Sequence, residues 1–180
     1  MPSIQYLLTS LVVVLIPGTG VVFTVSTGLF QGRRASLFAA LGCTAGIIPH
    51  LLACLLGLAA ILHTSALAFQ ALKYLGAAYL FYLAWQAWRE TGVLSVKQSA
   101  SPTGPLDTIA KGFMLNILNP KLSIFFLAFM PQFVAIENGS PMKQMLILSL
   151  VFMAMTLAVF IIYGLLAHAV RARVLGSRTM

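Results

Sequence analysis

A cluster of polar residues interrupts an apolar stretch that is long enough to cross a lipid bilayer. The stretch 113–132 reads FMLNILNPKLSIFFLAFMPQ and carries Asn116, Asn119, Pro120 and Lys121 near its middle. Proline has no N–H and its ring clashes with the carbonyl four residues back, so a continuous helix is not expected here. Asn is a preferred N-cap and Pro is favoured at the first helical position, so Asn119-Pro120 predicts a new helix start. Two half-helices are therefore predicted to meet at membrane depth.

This predicted helix start could bind an anion. The first turn of a helix carries a partial positive charge, and Lys121 adds a full positive charge at the same place. We therefore expect an anionic group, such as a substrate carboxylate, to face Asn119 and Lys121. Asn116, Asn119 and Ser123 favour such a site, because spacings of three and four residues place them on one helical face. The alternative is a proline kink with a lysine that extends to the membrane interface.

The first apolar segment is interrupted in a similar way by Pro17, Gly18, Thr19 and Gly20. Pro17 removes the N–H that would bond to the Val13 carbonyl, and Thr19 could cap the helix that follows. Carbonyls freed by Pro17 and Pro120 could accept hydrogen bonds from a substrate ammonium group. Breaks at corresponding places in two halves of a chain are typical of inverted-repeat transporters with a midplane site. A pair of ordinary kinked helices is the alternative.

Further side chains at predicted membrane depth could take part in chemistry. His50 could couple transport to protons, and a neutral histidine bonded to a backbone carbonyl is the alternative. Lys73 could contribute to the site or extend outward to the interface. Cys43 and Cys54 lie eleven residues apart, about 16 Å along a helix, so we expect buried free thiols and no disulfide within the chain. His50 and Cys54 could share a metal ion, but two ligands are a weak signal, and we predict no metal or other cofactor.

The composition is that of an integral membrane protein. Hydrophobic residues make up 60% and charged residues 8% of the 180 residues, against about 45–50% and about 25% in soluble domains. The mean hydropathy is +0.98. The net charge is +8, but the basic residues lie scattered at the ends of apolar runs, so nucleic-acid binding is not predicted. An enzyme is not predicted either, because paired carboxylates or a reactive cysteine pair at depth are absent.

These elements predict one all-α transmembrane domain over residues 1–180. A span needs about 20 residues, and five segments qualify: 4–30, 35–62, 66–88, 109–134 and 144–170. The first repeat half is predicted at about 1–90, a linker at 91–108 and an incomplete second half at about 109–180. Gly42 and Gly46 are expected to let neighbouring helices pack closely.

The basic residues predict the orientation of these spans. Loops rich in Lys and Arg stay in the cytoplasm. If the loop after the first span is cytoplasmic, only Lys73 and Lys143 lie near the outer face, and eight basic residues lie inside: Arg33, Arg34, Arg89, Lys97, Lys111, Arg171, Arg173 and Arg178. The amino terminus is therefore predicted outside and the carboxyl terminus in the cytoplasm.

Several short motifs, taken together in this order, resemble the LysE/RhtB family of amino-acid exporters, typified by the lysine exporter and the homoserine/threonine efflux proteins. The resemblance covers about residues 15–152 and rests on Pro17-Gly18, Gln31-Gly32-Arg33-Arg34, Gly42, Gly46, His50, the run LKYLGAAYL at 72–80, Gly112-Phe113, Asn116, Asn119-Pro120-Lys121 and the run FMPQF at 129–133. It implies a carrier in the cytoplasmic membrane of a bacterium that exports amino acids or close derivatives, driven by the proton gradient.

The chain departs from the family pattern in two places. Members usually have Pro-Gly-Pro followed by Asn at the first break, where this chain has Thr19 and Gly20. Members also usually have a sixth span, so we expect either a homodimer in which a second copy covers the exposed flank or a chain too short to transport.

The sequence therefore predicts an inverted-repeat exporter for neutral or zwitterionic amino acids, with broken helices in the first and fourth spans. The alternatives are a non-transporting membrane subunit or channel-like protein, and a metal or thiol-related membrane carrier. The predicted partners are the amino-acid substrate, the lipid bilayer and a second copy of the chain. The predicted site residues are Pro17, Gly18, Thr19, Gly20, His50, Lys73, Asn116, Asn119, Pro120 and Lys121.

Overall fold

In the computed structural model of this chain, the described residues are 2–62, 104–135 and 139–176, with scattered positions between 70 and 89. All regular elements in this part are helices, which confirms the predicted all-α class for these residues. In chain order they are α1 (Ile4–Leu15), α2 (Thr19–Phe30), α3 (Arg33–Ala45), α4 (Ile48–Leu62), α5 (Pro105–Ile117), α6 (Pro120–Ile124) and α7 (Pro141–Gly176). After α6 the chain continues as a π-helical turn (Phe125–Phe129) and a 3₁₀ turn (Met130–Phe133).

The first predicted break is present between α1 and α2. Ile16 leaves the helical conformation, with φ −60° and ψ 120°, because the residue before a proline is disfavoured in the α region. Helix α2 then begins at Thr19, and Gly18 is its N-cap without a side-chain bond. The predicted cap at Thr19 is therefore wrong. The chain re-enters helical geometry one residue earlier than expected, so Thr19 is the first helical residue.

The second predicted break is also present, between α5 and α6. The Asn119 backbone is extended, and its side chain accepts a hydrogen bond from the Lys121 N–H at 3.1 Å. Pro120 occupies the first helical position. An N–H at this position would have no acceptor within the helix, so proline costs no hydrogen bond there. The prediction that Asn119-Pro120 starts a new helix is confirmed.

The described helices account for part of the predicted membrane topology. Two helical stretches are long and apolar enough to cross a membrane: Arg33–Gly57, which joins α3 to most of α4, and Pro141–Arg171 in α7. The number rises to four if two bent pairs each form one span: α1 with α2, and α5 with the half-helix Pro120–Phe133. These correspond to the predicted segments 35–62, 144–170, 4–30 and 109–134. The predicted span 66–88 lies largely outside the described residues.

The chain packs as two compact units, and each unit combines segments that are distant in the sequence. Unit 1 comprises Met1–Ile16, Ile47–Thr91 and Asn119–Met155, and unit 2 comprises Pro17–Gly46, Gly92–Leu118 and Thr156–Met180. Both predicted helix breaks coincide with boundaries between the units. The division into repeat halves at about 1–90 and 109–180 stays a prediction.

Aromatic side chains form much of the core of unit 1. The Tyr6 hydroxyl is fully buried and donates a hydrogen bond to the Leu148 carbonyl at 2.6 Å. The rings of Phe125 and Phe152 stack with their centroids 4.5 Å apart, and Phe126 packs edge-on against Phe152. These contacts hold the start of α1 and the π-helical turn against α7.

Close contacts between glycines and main chain hold α3 and α5 together in unit 2. A Cβ atom added to Gly42 would collide with the Ile109 carbonyl, and one added to Gly46 would lie 2.6 Å from the Phe113 carbonyl oxygen. From the other side, a Cβ on Gly112 would lie 3.0 Å from the Ala39 carbonyl oxygen. The prediction that Gly42 and Gly46 serve helix packing is confirmed.

Candidate functional site

The Lys121 ammonium group lies at the end of α1 in unit 1. Its Nζ donates hydrogen bonds to the carbonyl oxygens of Val13 at 3.1 Å and Ile16 at 2.9 Å. In an unbroken helix the Val13 carbonyl would accept from the N–H of residue 17, but Pro17 has none. The proline that ends α1 thus makes a carbonyl available to a lysine more than a hundred residues away. We call the Val13 and Ile16 carbonyl oxygens the carbonyl pair.

This position explains how a half-buried lysine is tolerated in an apolar segment. The last turn of a helix carries a partial negative charge, which stabilises a cation placed there. Hydrogen bonds that involve a charged group contribute about 1.5–3 kcal/mol each. Main-chain oxygens of α1 thus stabilise the ammonium group in this structure, and an anion opposite Lys121 stays a prediction. The Val13 carbonyl, which we expected to face a substrate ammonium group, accepts from Lys121 instead.

His50 lies on α4, and its side chain contacts α6 at Ser123. The His50 side chain is 8% exposed, and its Nδ1 lies 3.3 Å from the Ser123 hydroxyl, two residues after Lys121. The imidazole ring also lies beside the ring of Phe126, with centroids 6.3 Å apart. Unit 1 therefore places His50 of α4 beside Ser123 of α6, the short helix that begins at Pro120 and carries Lys121.

The predicted residues on α2 and α5 lie in unit 2. The Asn116 amide nitrogen donates to the Cys43 carbonyl at 2.6 Å. The Asn116 amide oxygen lies only 2.7 Å from the point where Gly20 would carry a Cβ. The Gly20 carbonyl accepts from the Thr24 hydroxyl at 2.8 Å. Gly20 and Asn116 are thus brought together, whereas Pro17 and Thr19 are exposed at the start of this segment.

The predicted polar stripe is not one continuous face. Asn116 bonds to Cys43 inside unit 2, while Asn119 bonds to Lys121 and Ser123 lies within hydrogen-bond distance of His50 inside unit 1. A spacing of three and four residues aligns side chains only along an unbroken helix, and the helix stops between Ile117 and Pro120. Lys73, the remaining predicted site residue, lies outside the described residues.

Both cysteines are buried free thiols, as predicted. The Cys43 Sγ lies 3.8 Å from the Gly20 carbonyl oxygen, and the Cys54 Sγ lies 2.7 Å from the Phe126 carbonyl oxygen. Within the described ranges, no three His, Cys, Asp or Glu side chains are grouped closely enough to hold a metal ion. The thiols therefore act as donors to main-chain carbonyls in these contacts.

Sequence reasoning missed two features of these sites. The first is the Ile16 carbonyl, whose availability depends on the extended backbone before Pro17. The second is the Thr24 hydroxyl, which bonds to the carbonyl four residues back. A Thr four residues after Gly20 was a signal, because Thr hydroxyls in helices often bond in this way. The pairing of Lys121 with α1 had no local signal at all.

A helical membrane protein whose helices are interrupted at polar residues is built like a secondary transporter, in which half-helix ends line the binding site. The chain belongs to the LysE type translocator family, which it matches over residues 11–180. The resemblance identified in the sequence is confirmed. The family consists of transporters, so the chain is classed with transporters and not with enzymes, as predicted.

Similar proteins come from several bacteria. A membrane protein of Vibrio cholerae, described as uncharacterized, is 37% identical over 73% of this chain and 64% of its own length. The homoserine/homoserine lactone efflux protein of Salmonella typhimurium is 31% identical over 97% of this chain and 84% of its own length. The leucine efflux protein of an Enterobacter species is 30% identical over 86% of this chain and 76% of its own length. The match thus covers less than two thirds of the Vibrio protein. No solved structure matches this chain at a significant level.

Proposed function

We propose that this chain exports neutral or zwitterionic amino acids, or close derivatives, across the cytoplasmic membrane of a bacterium. Family membership supports transport, and two of the similar proteins are named as efflux proteins, one for homoserine and homoserine lactone and one for leucine. An amino acid carries a carboxylate and an ammonium group, so a transport site for it has to bind one negative and one positive charge.

The observation that carries this proposal is the interruption of two helices at polar residues. A zwitterion has one charge of each sign, and the ends of broken helices offer complementary partial charges of each sign. In unit 1 the start of the half-helix at Asn119 lies next to a lysine, and the end of α1 presents carbonyl oxygens. The chain thus contains donors for a carboxylate and acceptors for an ammonium group.

The distribution of charge favours substrates without a second cationic group. The only described carboxylate is that of Asp107, which pairs with Lys111 at 2.8 Å, and both side chains are half exposed. No Asp or Glu occurs in the described part of unit 1, where Lys121 lies. A dibasic substrate would bring a further positive charge without an acidic partner, and desolvating such a charge is costly. A zwitterion would add no net charge.

We propose that the transporter has five spans arranged as an inverted repeat, with the amino terminus outside and the carboxyl terminus in the cytoplasm. The broken helices α1–α2 and α5–α6 support the repeat, because they interrupt the first and fourth predicted spans at similar depths. A homodimer is proposed as the assembly. Crosslinking of native membranes should capture dimers, and capture of monomers alone by several crosslinkers would contradict this assembly.

Purified protein in proteoliposomes tests the proposed function. Vesicles loaded with radiolabelled leucine or homoserine should release it faster than protein-free vesicles, and a pH gradient should increase the rate. Unlabelled threonine and homoserine should compete with the label better than lysine or arginine. Stronger competition by lysine or arginine would contradict the proposed substrate class. Absence of any amino-acid flux would favour a non-transporting membrane subunit.

A further inference from the structure

The carbonyl pair at the end of α1 has the chemistry of a cation site. Both oxygens accept from one ammonium group, at 3.1 Å from Val13 and 2.9 Å from Ile16. The end of a helix adds the partial negative charge of its dipole. Unwound carbonyls and half-helix ends are the groups that coordinate cations in transporters with broken helices. The site is therefore already occupied by a cation, which the protein itself supplies through Lys121.

The ammonium group of Lys121 retains capacity for a further partner. An ammonium group has three N–H donors, and the carbonyl pair accepts two hydrogen bonds. The described part of unit 1 contains no carboxylate that could neutralise the charge. A carboxylate that arrives with a substrate would form a hydrogen bond with this group in which both donor and acceptor are charged, whereas the carbonyl oxygens are neutral.

We propose that the carbonyl pair is a binding site for a primary ammonium group, filled by Lys121 in this structure and by the substrate ammonium group when the substrate carboxylate pairs with Lys121. The assignment of the second occupant rests on the proposed amino-acid transport. The ammonium site itself does not, since it follows from the contacts of Lys121 alone.

This exchange also accounts for substrate choice. Before and after the exchange, the carbonyl pair holds one ammonium group and the region carries the same net charge. A substrate with a second cationic group would leave that group beside Lys121 without a described acidic partner. The same geometry therefore selects compounds with one ammonium and one carboxylate group.

Removal of the tethered ammonium group tests the site directly. In Lys121→Ala the carbonyl pair loses its donor, and added ethylammonium should raise the melting temperature of the purified variant in a concentration-dependent way. The wild-type protein should show no such rise, because its own side chain occupies the site. Tetramethylammonium has the same charge but no N–H, so it should have no effect on either protein.

Lys111→Ala provides a matched control, because Lys111 is exposed and pairs with a carboxylate instead of main-chain oxygens. Its melting temperature should not respond to ethylammonium. Equal responses of Lys121→Ala to ethylammonium and tetramethylammonium, or no response to either, would overturn the ammonium site.

Competition in the same variant tests the second occupant. Ethylammonium should displace radiolabelled leucine from Lys121→Ala, because both ammonium groups need the same oxygens. Independent binding of the two compounds would overturn the assignment of the substrate ammonium group. A further outcome is that the wild-type protein binds and transports no amino acid while ethylammonium still raises the melting temperature of Lys121→Ala. In that case the proposed function would fail and the ammonium site would stand.

Pro17→Ala tests the same site in a chain that keeps Lys121. The new N–H at residue 17 can donate to the Val13 carbonyl, so one oxygen of the carbonyl pair is lost to the helix. Leucine should bind about tenfold or more weakly, since a hydrogen bond to a charged group is lost. Unchanged leucine affinity in a properly inserted Pro17→Ala protein would overturn the proposal even if Lys121→Ala failed to fold.

Discussion

At the scale of single residues, Asn119 links the shape of the chain to the position of Lys121. Its side chain satisfies the Lys121 N–H, one of the backbone donors that a helix start leaves without an intrahelical partner. Because the same residue fixes where α6 begins, it also fixes where the lysine side chain leaves the backbone. A substitution at Asn119 is therefore expected to shift the Lys121 side chain while the overall fold is retained.

Asn119→Ala is expected to lower transport more than membrane insertion. Loss of an N-cap costs about 1 kcal/mol, which is small against the stability of a folded protein but large for the placement of one side chain. Transport rate per amount of inserted protein is the measurement. Asn119→Ser keeps a capping oxygen and should retain most of the rate. Equal losses of transport and of inserted protein would indicate an ordinary structural kink.

His50 is the second residue with a specific expected effect. Histidine side chains can carry protons in transport, and no carboxylate accompanies His50 in the described part of unit 1. We expect His50→Gln to abolish the increase in efflux caused by a pH gradient while it retains exchange of labelled for unlabelled leucine without a gradient. Glutamine can still bond to Ser123, so packing should persist. Gradient-driven efflux at the wild-type rate would assign His50 to packing.

At the scale of the helices, the closest contacts are those of glycines. Gly42 on α3 lies against the main chain of Ile109 on α5, which cannot rotate away as a side chain could. Gly42→Ala is therefore expected to destabilise unit 2 by about 1–3 kcal/mol, the usual cost of overpacking. A lower melting temperature and less folded protein in the membrane should be measured.

Gly57 on α4 gives the matched control for this substitution. A Cβ at Gly57 would meet no atom within 4 Å. Because alanine is favoured over glycine inside a helix by about 1 kcal/mol, Gly57→Ala should leave the melting temperature unchanged or raise it. Equal destabilisation by the two variants would contradict the close packing of α3 on α5.

The helix breaks could be predicted from the sequence, whereas the partners of the broken ends could not. Proline acts on its own helix through the missing N–H and the steric effect on the preceding residue, so Pro17 and Pro120 mark the breaks locally. The bond from Lys121 to α1 joins residues more than a hundred positions apart. No spacing rule relates them, because the contact depends on how two separate segments pack in unit 1.

The same limit explains the outcome at Asn116. The sequence placed it with Asn119 and Ser123 on the assumption of helical periodicity through residue 118. The break ends that periodicity, and Asn116 bonds to the Cys43 carbonyl instead. Gly20 makes room for its amide group, which a residue with a Cβ would not. The family pattern has Asn at position 20. In this chain the position is Gly20, and the Asn116 side chain of α5 packs against it.

At the scale of the whole molecule, the distribution of basic residues predicts the topology. Arg33 and Arg34 are exposed at the start of α3, and Arg171 donates to the Phe30 carbonyl at the end of α2 at 2.8 Å. Three arginines thus lie around the turn between α2 and α3. The positive-inside rule predicts that such a turn lies in the cytoplasm.

Reporter fusions test this topology. An alkaline phosphatase reporter, active only outside the cytoplasm, should be inactive in the turn at Gly32 and after Met180, and active at Gly139, an exposed glycine before α7. The three positions form a matched set, because a chain of five spans predicts opposite results for the first two and the third. Replacing Arg33 and Arg34 by glutamine should increase the fraction of chains with an active reporter at Gly32, since fewer basic residues would then favour a cytoplasmic position for this turn. Activity after Met180 in the unmodified chain would contradict five spans with an external amino terminus, whereas inactivity at Gly139 would contradict the predicted direction of the fourth span.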